Sequence, residues 1–125
     1  MRRERALKVV LVLVGLLFLA CIYPVVMSFR HPNPVDDTDA MMSSLYVTLG
    51  VFLLLAVRNP SANRSLIAFA AWSSLAHGAI MMAQSLHYVS ERVGLLSASA
   101  AFVVIGVALI ALTPAKQSVE RTQAA

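Results

Sequence analysis

The sequence predicts an all-α membrane protein: an up-down bundle of four transmembrane helices with the N- and C-termini both on the cytoplasmic side. Three observations carry that expectation. Hydrophobic residues make up 59% of the 125-residue chain and charged residues 13%, against about 45–50% and about 25% in a soluble domain. A soluble fold of this size exposes too much of its chain to hide so much apolar surface. The apolar residues fall into four runs of about 17–22 residues, the length a helix needs to cross about 30 Å of hydrocarbon. Short links join the runs, so sequential neighbours are expected to lie antiparallel. Helices are the open option, because unpaired backbone is too costly in lipid and the runs lack the alternation of barrel strands.

The first run covers residues 9–27, behind a basic head of Arg2, Arg3, Arg5 and Lys8. Tyr23 and Pro24 predict a kink near its outer end that could open a cavity. A competing reading is a lipoprotein signal ending at a lipidated Cys21, on the strength of Phe18-Leu19-Ala20-Cys21. Leu19 is a poor residue for such a cleavage site, and the run stays apolar through residues 22–27, which favours a retained span.

The link Arg30, His31, Pro32, Asn33, Pro34 stops the first helix. The cluster Asp36, Asp37, Thr38, Asp39 then offers an N-cap and favourable charge to the second span, residues 41–57. Arg58-Asn59-Pro60 ends that span, since the residue before proline avoids the α region. Ser61 or Asn63 is placed to cap the third span, residues 65–86. Ser90 with Glu91 is placed to cap the fourth, residues 93–112, and Thr113-Pro114 to end it. The polar tail, residues 115–125, is expected to be mobile and cytoplasmic. The whole chain, 1–125, is expected to form one four-helix domain. Gly15-Leu16-Leu17-Phe18-Leu19-Ala20 and Gly50-Val51-Phe52-Leu53-Leu54-Leu55-Ala56 look alike, but Leu-rich spans resemble one another by chance.

Orientation follows from the basic residues. With the N-terminus inside, Arg2, Arg3, Arg5, Lys8, Arg58, Arg64, Lys116 and Arg121 lie on the cytoplasmic side and only Arg30 and Arg92 outside. That is a clear positive-inside bias. It also accounts for the net charge of +4, since the basic residues flank apolar runs and form no nucleic-acid-binding pattern. The Asn63-Arg64-Ser65 sequon falls on the cytoplasmic side, where it has no use. The single cysteine, Cys21, excludes an internal disulfide and a multi-thiolate metal centre.

His77 is the most informative position. An ionisable side chain near the centre of a span is costly and is a functional candidate by default. Helical spacing places Ser73 and Ser74 one turn before it, Met81 one turn after and Gln84 two turns on. His87 and Tyr88 carry this polar stripe to the outer boundary. His77, Ser73, Ser74 and Gln84 are therefore a candidate ligand-binding or proton site. The alternative is a neutral imidazole bonded across helices, with serines satisfying their own backbone. Ser44 and Thr48 in the second span and Gly94, Ser97 and Ala101 in the fourth form small faces expected to pack. Trp72 lies too deep for an interfacial belt and is expected in the core or facing lipid. Arg58 and Arg64 bracket the inner loop and are candidate contacts for lipid headgroups or a partner. His31, Asp36, Asp37 and Asp39 are ligand residue types at no metal-loop spacing, so no metal site is expected.

No membrane-embedded carboxylate, paired mid-membrane histidines, nucleophile elbow, metalloprotease helix or phosphate loop is present. No cofactor is expected. The segments Ser44-Leu45-Tyr46 through Gly50 to Ala56, then Arg58-Asn59-Pro60, Asn63-Arg64-Ser65-Leu66-Ile67 and Ala71-Trp72-Ser73-Ser74-Leu75-Ala76-His77 are distinctive. They resemble an uncharacterised family of small bacterial inner-membrane proteins with four spans, known only as a domain of unknown function. The resemblance covers residues 1–112 and implies a bacterial cytoplasmic-membrane location. It implies no activity and no residue roles. The residues themselves favour a non-enzymatic packing or interaction protein, as a homo-oligomer or with a larger membrane partner. The alternative is a binding or transport module for a small lipophile, such as a quinone or lipid, or for a proton-coupled solute, with His77 at its centre.

Overall fold

The structure, a computed structural model, describes residues 2–113 apart from the side chains of Val35 and Asp36. Pro114 and the tail, with Lys116 and Arg121, lie outside the described residues. Every regular element among those described is helical: α1 (Arg2–Leu19), α2 (Ile22–Arg30), α3 (Pro34–Ala56), α4 (Arg64–His87) and α5 (Arg92–Leu112). Short 3₁₀ turns, Pro60–Asn63 and Val89–Glu91, lead into α4 and α5. Four stretches are long and apolar enough to cross a membrane: Arg2–Arg30, Asp37–Ala56, Pro60–His87 and Val89–Leu112. This is the all-α class that the hydropathy pattern predicts.

The first of these stretches is two helices. Pro24 has no N–H to donate to Ala20, and its ring crowds that carbonyl, so the helix must yield one turn earlier. The Cys21 amide bonds Phe18 O at 3.0 Å and the Tyr23 amide bonds Ala20 O at 3.1 Å. Both span three residues instead of four. The expected kink is therefore present, at Ala20 and Cys21.

Three local expectations need correction. The Asp/Thr cluster does not cap the second span; it lies inside α3, which already starts at Pro34. Proline suits a first helical position, where its missing N–H would be unpaired anyway. Thr38 Oγ1 bonds back to Pro34 O at 3.1 Å. Ser61 and Ser90 do not cap α4 and α5 either. Asn63 and Glu91 occupy the N-cap positions, and neither makes a side-chain capping bond. The 3₁₀ turns supply backbone acceptors near the helix starts, such as Tyr88 O for the Glu91 amide at 3.1 Å.

Contacts divide the chain into two units, Lys8–Asn59 and a second that joins the residues up to Leu7 with those from Pro60 onward. In the first, α1 and α3 touch backbone to backbone. A Cβ on Gly50 would lie 2.7 Å from Gly15 O, and one on Gly15 would lie 3.1 Å from Gly50 O. One turn along, the Phe18 and Tyr46 rings meet edge to face with centroids 5.0 Å apart. The two runs that look alike in sequence thus supply the two glycines that meet.

In the second unit α4 and α5 pack antiparallel on small residues spaced by two helical turns. A Cβ on Gly106 would lie 2.9 Å from Ala71 O, and one on Gly78 would lie 3.2 Å from Ser99 O. Ser99 Oγ donates to Gly78 O at 2.8 Å. At the far end Arg92 Nε donates to Ser85 O at 2.9 Å, in the last turn of α4. Arg3 does the same for α5, bonding Ala111 O at 3.1 Å and Thr113 O at 3.0 Å. Both guanidinium groups sit where helix carbonyls lack partners and the dipole is negative.

Candidate functional site

The polar stripe of α4 belongs to the second unit, and its residues face different surroundings. Ser74 lies in the buried face with Ile67, Ala70, Ala71, Gly78 and Ser85. It is completely buried, and its hydroxyl has no hydrogen-bond partner among the described residues. Ser73 is half-buried and bonds Ala70 O at 3.2 Å, within its own helix. His77 is also half-buried, with its ring 4.4 Å from the Phe102 ring of α5 at an interplanar angle of 44°. Gln84, His87 and Tyr88 are exposed.

The stripe is real as an arc around the helix. Ser73, His77 and Gln84 fall on nearly one line, and Ser74 lies roughly 60–100° to the side of it. That rotation turns Ser74 into the buried face and leaves Gln84 open. Chemically, Ser73, Ser74, His77 and Gln84 offer one imidazole, two hydroxyls and one carboxamide, with no carboxylate or thiol beside them on α4. Among the described residues no group of three or more His, Cys, Asp or Glu side chains could hold a metal ion.

Residues 3–124 match the model of a family described as a family of unknown function, DUF6632. The chain belongs to that family. The expected membership of a family of unknown function is thereby borne out. No curated protein and no solved structure matches the chain. For this DUF6632 protein, functional reasoning therefore rests on its own side chains.

Two other sequence candidates fall in different units. Arg58 is exposed at the end of the first unit, and Arg64 is half-buried as the first residue of α4 in the second. Trp72 is 64% exposed, which takes it out of the packed core. The small face expected on the fourth span does not pack against α4. Nothing lies within 4 Å of a Cβ on Gly94, and Ser97 and Ala101 are exposed. Ser99 and Gly106 carry the contact instead. The signal that finds them is the seven-residue repeat of Ala71, Gly78, Ser85 on α4 against Arg92, Ser99, Gly106 on α5, two turns per step.

In the DUF6632 chain the α2–α3 pair carries a further feature whose lining the sequence alone does not indicate. The pair forms two clefts, of about 400 and about 300 Å³, the smaller just past the break at Ala20 and Cys21. Tyr23 and Pro24 point to a kink that could open a cavity, and both line the smaller cleft. The two clefts are lined by residues of the first unit alone.

Proposed function

We propose that this is an integral protein of the bacterial cytoplasmic membrane, its four spans forming one domain with both termini in the cytoplasm. It works without catalysis, by packing against a second copy of itself or a larger membrane protein. Two facts support the placement. Arginines and lysines gather on one side of the spans, and the bond from Arg3 to the end of α5 joins the two ends of the transmembrane region on a common side.

One observation carries the interaction reading. α5 has two small-residue faces, and only one is in use among the described residues. Ser99 and Gly106 are buried, while Gly94, Ser97 and Ala101, roughly one turn apart, stand open. In lipid such faces associate through close van der Waals approach. The test is cross-linking in native membranes, wild type beside Gly94→Leu and Ala101→Leu. The expected result is a discrete cross-linked species in wild type that both variants lose while remaining inserted. An unchanged pattern would contradict the reading. Arg58 and Arg64 serve the same role at the cytoplasmic surface, by holding lipid phosphates or acidic groups of the partner.

A second reading, a binding or transport module centred on His77, is favoured by the lone buried hydroxyl of Ser74. Buried polar groups ordinarily have a partner, so an orphan points to something that completes it. A quinone, a lipid or a proton-coupled solute would then meet His77, with Ser73 and Gln84 along its route.

A further inference from the structure

We propose that the two clefts flanking α2 and α3 hold the chains of phospholipids whose headgroups carry an ammonium, such as phosphatidylethanolamine. The inference rests on the reading that these helices cross a bilayer, and is otherwise independent of the packing role.

The larger cleft is lined by the apolar side chains of Val25, Phe29, Ala40 and Met41, with Ala40 buried and Phe29 and Met41 largely exposed. Its hydroxyls are already occupied: Ser28 bonds Val25 O at 2.9 Å and Ser44 bonds Met41 O at 2.7 Å. The interior therefore suits a hydrocarbon chain better than a polar molecule. Asp37 also lines this cleft. The smaller cleft repeats the plan, with Pro24 and Met27 for the chain, and Tyr23, His31 and Asp39 beside them. Ser28 lines both. Asp37 and Asp39 are two residues apart on α3, about 200° around the helix axis, so each serves its own cleft.

Depth and charge identify the occupant. The apolar spans end at Arg30 and resume at Asp37, which sets both carboxylates at the membrane boundary, where headgroups lie. The two aspartate side chains are exposed. An exposed carboxylate at the mouth of an apolar groove pairs with a cationic end and repels an anionic one. Tyr23 adds an aromatic face of the kind that attracts an ammonium. A zwitterion with a terminal ammonium meets these conditions, and an anionic glycerol phospholipid does not. The volumes fall within or at the edge of the range of roughly 300–1,000 Å³ typical of small-molecule sites.

The test is native mass spectrometry of the full chain, delipidated in mild detergent and titrated with dioleoyl phosphatidylethanolamine or dioleoyl phosphatidylglycerol. Dodecylammonium serves as a third probe. Phosphatidylethanolamine should be retained about two- to fivefold better than phosphatidylglycerol, the scale of a partly exposed ion pair. Asp37→Asn with Asp39→Asn should abolish that preference. Met41→Trp, which fills the larger cleft without touching a charge, should lower the number of lipids retained. Equal retention of both lipids, or a preference that survives the double variant, would overturn the proposal. Binding of dodecylammonium without phosphatidylethanolamine would also overturn it, in favour of a free amphiphilic amine. Alkaline extraction of the source membranes separates the two levels: a released chain refutes membrane crossing itself, whereas a retained chain without lipid preference refutes only this inference.

Discussion

Gly15 and Gly50 bring α1 and α3 into backbone contact, each within reach of the other's carbonyl oxygen. A side chain at Gly50 meets Gly15 O at 2.7 Å and Leu19 N at 3.0 Å, and backbone cannot swing aside as a side-chain tip can. Gly50→Ala is therefore expected to destabilise the first unit by about 1–3 kcal/mol. Denaturation in mixed micelles by increasing sodium dodecyl sulfate measures the change.

Glycines on α5 divide sharply. Gly106→Ala would press a methyl to 2.6 Å from Leu75 Cγ and 2.9 Å from Ala71 O, while Gly94→Ala enters open space. The first should lose about 1–3 kcal/mol. The second should lose nothing, because alanine is also the better helix former. The same micellar unfolding curve reads both.

The two buried serines of the α4–α5 contact should behave oppositely. Ser99→Ala removes the bond to Gly78 O and should cost about 0.6–1.7 kcal/mol, the measured scale for such bonds in membranes. Ser74→Ala removes a buried hydroxyl that bonds nothing among the described residues. It should leave stability unchanged or raise it by up to about 1 kcal/mol, since an unsatisfied group is itself a cost. A loss at Ser74 comparable with that at Ser99 would mean that something absent from the helix pair completes it.

Arg3 tests capping from a distance. Arg3→Ala frees the carbonyls of Ala111 and Thr113 and should fray the last turn of α5. Amide hydrogen exchange there should quicken by about two- to fivefold, matching about 0.3–1 kcal/mol for a cation at a helix C-terminus. Exchange at the start of α5 should not change.

Hydropathy alone placed the four long helices, and Pro24 and Asn59-Pro60 marked the first helical break and the end of the second span. These features are legible because burial in lipid and proline geometry act on each segment by itself. The start of α3 was not, since a charged first turn is as helical as an apolar one once Pro34 opens it. The faces were harder still. A helix apolar all round carries no moment to fix its rotation, so the expected packing face fell on Ser97, about 200° around the helix from Ser99, the residue that the partner helix buries. For the α4 stripe, the continuous helix Arg64–His87 keeps Ser73, His77 and Gln84 at the spacing assumed for them. Spacing alone could not foresee that Phe102 covers His77 or that Ser74 turns into the contact.

A central claim follows from the contact between His77 and Phe102: the imidazole serves helix packing. Native mass spectrometry of the chain extracted from its own membranes, wild type beside His77→Ala, tests it most directly. The account predicts no stoichiometric adduct that depends on His77, and a variant that keeps its partners but unfolds more readily. A small-molecule adduct present in wild type and lost in His77→Ala would contradict it and give the ligand's class by mass.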